Sequence, residues 1–60
     1  MKETIKQILM RRDGKTSQEA QELIDNARAD FFERLEEGEQ PHEICAEWFG
    51  LEPDYIMELI

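Results

Sequence analysis

TSQEAQELIDNARADFFERLEEG, residues Thr16 to Gly38, decides the fold of this chain. Plotted at about 100° per residue, Ala20, Leu23, Ile24, Ala27, Phe31 and Leu35 fall within a stripe about 120° wide. That period belongs to an α-helix with one buried face. Thr16 stands three residues before Glu19, the spacing at which a hydroxyl and a carboxylate cap each other's backbone N–H groups. Ser17 is a competing cap. Gly38 stops the helix. Phe32 lies off the stripe, about 100° round from Phe31 and flanked in sequence by Asp30 and Glu33. It is either an interface anchor or a residue that the N-terminal helix covers.

The same marks continue outward in both directions. Toward the N-terminus, Ile5, Ile8 and Leu9 give Lys2–Arg12 one apolar face, and Asp13–Gly14 ends that helix. Toward the C-terminus, Pro41 fits the first turn of a third helix, where its missing N–H costs nothing. Ile44, Cys45, Trp48 and Phe49 form the apolar face of that helix, and Gly50 ends it. Pro53 opens a fourth helix with Tyr55, Ile56, Leu59 and Ile60. Trp48, Phe49 and Tyr55 are read as packing the last two helices onto the second. Connections of about two to five residues suit a bundle. No stretch alternates as a strand would. The pattern predicts an all-α fold, a compact bundle of three to four short helices. It forms a single domain over residues 1–60, with a basic N-terminal helix (1–15) and an acidic body (16–60).

A domain of 60 residues buries only about 60% of its unfolded surface, so it gains from disulfides, a metal or a partner. The one cysteine, Cys45, excludes an internal disulfide, and with the one histidine, His42, it falls short of a four-ligand zinc site. No metal and no cofactor is expected. His42 and Cys45 are three apart on one helix face, but a buried cysteine acting as a small apolar residue accounts for Cys45 more simply. Without a nucleophile–base pattern, a phosphate loop or room for a substrate pocket, the expectation is a protein that is not an enzyme.

The formal net charge is −8. Residues 1–15 carry Lys2, Lys6, Arg11, Arg12 and Lys15 against Glu3 and Asp13, a net of +3; residues 16–60 carry Arg28 and Arg34 against thirteen acids, a net of −11. Phosphate backbones and anionic lipid repel such a body, whereas basic protein surfaces attract it. The plainer alternative is that the charge only keeps copies apart. There is no apolar run near the roughly 18 residues of a membrane span, and no secretion signal. A cytoplasmic location without membrane contact is expected, in keeping with a free thiol.

The stretch ICAEWFGLEPDYIMELI, residues Ile44 to Ile60, resembles a helix-turn-helix. Ala46 stands where a small residue lets two helices cross, and Gly50 takes the turn. Leu51, Ile56 and Leu59 fill the apolar positions, with Cys45 and Phe49 as buried partners. The resemblance implies a packed helix pair and, in its family, DNA reading. The positions that would read DNA depart from it: Glu52, Pro53, Asp54, Tyr55 and Glu58 stand where Arg, Lys, Asn or Gln would meet bases and phosphates. Nucleic acid is therefore the disfavoured ligand.

A second irregularity points to a partner. A helix C-terminus carries partial negative charge, yet Glu36 and Glu37 sit in the last turn of the second helix with Glu39 just beyond. Phe32, Glu33, Glu36, Glu37 and Glu39, with Glu52, Asp54 and Glu58, are the candidate partner-binding residues. An acidic surface that merely tolerates small penalties is the competing explanation. ADFFERLEEGEQPHEICAEWFGLEPDYIMEL, residues 29–59, is similar to short acidic all-helical proteins of phages, plasmids and integrated elements. That resemblance implies a class and no mechanism. The function expected is a non-enzymatic protein–protein interaction module, a small regulatory or inhibitory accessory protein for a partner with a basic surface. The alternatives are a DNA mimic that inhibits a nucleic-acid-binding protein, a degenerate helix-turn-helix DNA-binding domain, and a homodimer.

Overall fold

In the computed structural model, which describes residues 3–60, helix α2 runs Ser17–Glu36. It starts where the local chemistry requires. Thr16 Oγ1 accepts the Glu19 N–H at 3.1 Å while Glu19 Oε1 accepts the Thr16 N–H at 2.9 Å. A second box of the same kind, Thr4 with Gln7, opens α1 (Ile5–Arg12). α1 therefore begins at Ile5, later than the apolar spacing predicts, because Thr4 takes the extended conformation of a cap. Lys2, assigned by its charge to this helix, lies outside the described residues. α3 spans Ile44–Phe49, and a 3-10 helix spans Pro53–Glu58. Among the described residues there is no strand, and the all-α bundle is the observed fold.

One core joins all four elements. Ile5 and Leu9 from α1, Ala20, Ile24, Ala27 and Phe31 from α2, Ile44, Cys45 and Phe49 from α3, and Leu59 are buried together. Trp48, Leu51, Tyr55 and Ile56 pack against them, half-buried. At α3 the chain turns through Gly50 at φ 66°, and the Leu51 N–H donates back to the Cys45 carbonyl at 3.2 Å. Only glycine enters that left-handed region without strain.

Four details differ from the sequence pattern. Leu35, on the predicted stripe, is 42% exposed; it lies in the last turn of α2, beyond the level at which Phe31 closes the core. Ala46 is exposed, so it is not the close-crossing residue of a helix pair; Cys45 beside it is buried instead. Pro41 is not in the first turn of α3. It is buried in the seven-residue connection 37–43, where the His42 N–H closes a tight turn on the Gln40 carbonyl at 2.8 Å and delays the helix to Ile44. The fourth element is 3-10 rather than α, held by bonds such as Leu59 N–H to the Ile56 carbonyl at 2.9 Å.

Long-range polar bonds tie the last segment to α1. Arg12 Nη2, at the end of α1, donates to the Phe49 carbonyl at 2.6 Å. Glu58 Oε1 accepts the Ile5 N–H, at the start of α1, at 3.0 Å. Residues 50–58 must therefore run the length of α1 in the opposite direction. Arg12 covers an orphan carbonyl at the end of α3, and Glu58 an orphan N–H at the start of α1.

Candidate protein-interaction surface

The exposed half of α2 is organised by its own periodicity. At about 100° per residue, Phe32, Leu35 and Glu36 fall on one flank, with Glu33 and Glu37 further round. Glu36, Glu33 and Glu37 thus lie side by side within about 100° on the solvent side, with Glu36 bordering Phe32 and Leu35. Glu37 caps the helix, and the Glu39 N–H then donates to the Arg34 carbonyl at 3.0 Å, folding Glu39 back beside it.

Glu37 is held above the usual carboxylate range. The largest cause is the side-chain interaction with the neighbouring Glu39 carboxylate; the Glu39 charge, slight desolvation and the Glu33 charge add to it, and Arg34 opposes it. Arg34 is turned elsewhere. Its Nη2 meets Asp30 Oδ2 at 3.1 Å and its Nη1 meets Glu47 Oε2 at 2.9 Å. Asp30 also accepts from Trp48 Nε1 at 2.9 Å, so this cation belongs to a network that joins α2 to α3. Glu33, Glu37 and Glu39 are left as a crowded, exposed group of carboxylates.

The crowding has a measurable consequence. A group whose pKa rises on folding weighs against the fold while it is ionised, and that cost vanishes as pH falls through the raised value. Glu37→Gln is expected to raise the melting temperature at neutral pH. The difference from the unsubstituted chain should close on acidification below the raised pKa. Thermal melts at a series of pH values check this; a constant difference would mean that the group is not crowded.

The remaining candidates are placed differently. Phe32 is 43% exposed, so α1 does not cover it; its ring meets buried Phe31 edge-on, with centroids 5.4 Å apart. Glu52 and Asp54 are exposed at the start of the 3-10 helix, well away in sequence from α2. The Glu58 carboxylate is engaged inside the fold by the Ile5 N–H, and its carbonyl accepts from Arg28 Nη2 at 3.4 Å.

Between α1 and residues 50–55 lies an open cleft of about 340 Å³, with Arg11, Arg12 and Tyr55 in its walls. Its cations are engaged. Arg11 forms a two-point pair with Glu3 at 2.8 and 2.7 Å, which lowers the Glu3 pKa and raises that of Arg11. Arg12 holds Asp13 and the Phe49 carbonyl. Cys45 is fully buried, and burial, followed by the Glu58 charge, pushes its thiol pKa up, away from a reactive thiolate. His42 is exposed, with Nε2 3.2 Å from Gln40 Oε1. Among the described residues no group of His, Cys, Asp and Glu is placed to hold a metal, and no helix is long and apolar enough to cross a membrane.

Sequence reasoning missed the Thr4–Gln7 box, although its T-x-x-Q spacing is visible. It also missed the roles of Arg12, Asp30 and Glu58. Their partners are 37, 18 and 53 residues away, and no local spacing signals such pairs. No protein-family model, curated protein or solved structure matches the chain.

Proposed function

We propose that this chain is a non-enzymatic protein–protein interaction module, a small regulatory or inhibitory accessory protein whose acidic edge docks on a basic protein surface. The edge is Glu33, Glu37 and Glu39. The observation that supports it most directly is the return of the chain through Gly38, where the Glu39 N–H donates to the Arg34 carbonyl at 3.0 Å and sets Glu39 beside Glu37, with the nearest arginine committed to α3. Cationic groups from a partner would relieve the repulsion between these carboxylates, so docking gains more here than at dispersed carboxylates. Glu52 and Asp54, exposed at the start of the 3-10 helix, extend the negative field and aid steering more than contact. The free, buried Cys45 accords with a reducing cytoplasm.

The test is capture of partners from the native cell at low and moderate salt, with two variants of equal net charge. Glu37→Lys with Glu39→Lys is expected to weaken capture at least tenfold. Glu22→Lys with Glu43→Lys is expected to leave it within about threefold, with added salt weakening capture of the unsubstituted chain. Equal losses from both variants would mean that only the overall charge matters, and the edge would have no role. Competition by duplex DNA for the captured protein would place the partner among nucleic-acid-binding proteins and identify the chain as a DNA mimic.

A further inference from the structure

We propose that the flank of α2 bearing Arg28, Ala29, Phe32, Leu35 and Glu36 is a self-association face, on which a second copy of this chain docks antiparallel about Phe32. Phe32 and Leu35 are 43% and 42% exposed, one turn apart on the same side of the helix. Two large apolar side chains adjacent on a helix, with charges of opposite sign at either end, form an interface pattern rather than a solvated face.

The order of residues selects the occupant. In an antiparallel pair with a two-fold axis at Phe32, a residue a given number of places after Phe32 faces the residue the same number before it in the other copy. Phe32 therefore meets Phe32. Leu35, three places after, shares its edge of the face with Arg28, four before, so it packs on the aliphatic stem of that arginine in the other copy, while small Ala29 leaves room for Glu36 on the other edge. Glu36, four after, meets Arg28, four before, and the symmetry makes this pair twice. The stretch is complementary to itself in charge, with Phe32 at its centre.

The charged ends are available for it. Arg28 has only long contacts within its own chain, 3.4 Å to the Glu58 carbonyl and 3.9 Å to Asp25. Glu36 is exposed and makes no ion pair among the described residues. Glu33 and Glu37 lie further round the helix and border this face at Glu36, while Phe32 and Leu35 stand on the side away from Glu37. The two proposals also predict opposite responses to salt. Two copies of net charge −8 repel each other, and screening relieves that repulsion, so self-association strengthens with salt whereas a basic partner is lost.

Sedimentation equilibrium of the full chain over about 10 μM to 1 mM, at low and moderate salt, tests the face without any partner protein. The expected result is a weak monomer–dimer equilibrium that favours the dimer more as salt rises. Phe32→Asp should give monomer throughout, with helicity retained by circular dichroism. Arg28→Glu and Glu36→Arg should each weaken dimerisation at least threefold. The double variant Arg28→Glu/Glu36→Arg should return it to within about twofold of the original, because the pairs re-form with their signs exchanged. Loss of the intrachain contacts of Arg28 is common to the single and double variants, so it cannot produce the rescue. A monomer under all conditions, a dimer that survives Phe32→Asp, or a double variant no better than the singles would overturn the proposal.

Discussion

Leu59→Ala is expected to remove most of the stability of this chain. Leu59 is fully buried where the 3-10 helix ends, in the same core as Ile5 and Leu9. Truncating a buried leucine costs about 2–5 kcal/mol, from lost transfer energy and the cavity left behind. A domain of 60 residues has only about 3–9 kcal/mol in all. The residue also holds the register of the segment that lies along α1, so its loss weakens the Glu58 bond to Ile5 as well. Met57→Ala, two residues earlier and 75% exposed, should change stability by less than about 0.5 kcal/mol. Urea denaturation followed by circular dichroism compares the two. Equal and small effects would show that residues 53–59 do not belong to the core.

Asp30→Ala is the second large effect expected. Asp30 accepts from Trp48 Nε1 at 2.9 Å and pairs with Arg34, which in turn reaches Glu47 on α3. Alanine leaves the half-buried indole N–H without its acceptor, at a cost of about 1–3 kcal/mol. The better helix propensity of alanine offsets about 0.7 kcal/mol of that. Asn retains an acceptor for the indole and loses only the charge, so Asp30→Asn should recover most of the loss. Trp48 is the one tryptophan and reports directly: its emission should shift to longer wavelength in Asp30→Ala at temperatures where the helices remain. Asn and Ala variants of equal stability would mean that α3 is held by apolar packing alone.

These two positions also separate what is local in this protein from what is not. Thr16 and Glu19, the glycine turn at Gly50, and the stripe of Ala20, Ile24, Ala27 and Phe31 are readable because backbone geometry sets their spacing. Leu35 has the same spacing, and yet it is exposed, because periodicity tells which side a residue faces and not where the neighbouring helix stops. The helix-turn-helix pattern illustrates the same limit. Gly50, Leu51, Ile56 and Leu59 do form a packed corner, but Ala46 is exposed and the second member is a 3-10 helix tied to both ends of α1. In the candidate surface, the sequence grouped Glu33, Glu36, Glu37 and Glu39 by proximity along the chain. The helix does set Glu33, Glu36 and Glu37 side by side, but only the turn through Gly38 brings Glu39 back to Glu37.

The all-α character of the chain, the capped start of α2, the corner at Gly50 and the sign of the charge all follow from residue order and composition. Each depends on interactions within about four residues or on composition. Tertiary structure alone decided which charges serve the fold and which face outward. Arg12 covers the Phe49 carbonyl, Glu58 caps α1 and Asp30 holds Trp48, so three ionisable groups that look like surface charge are structural. The reason is physical: an unpaired backbone group at a helix end takes whichever side chain the packing brings within about 3 Å, and that choice is made by the folded core and not by neighbours in sequence.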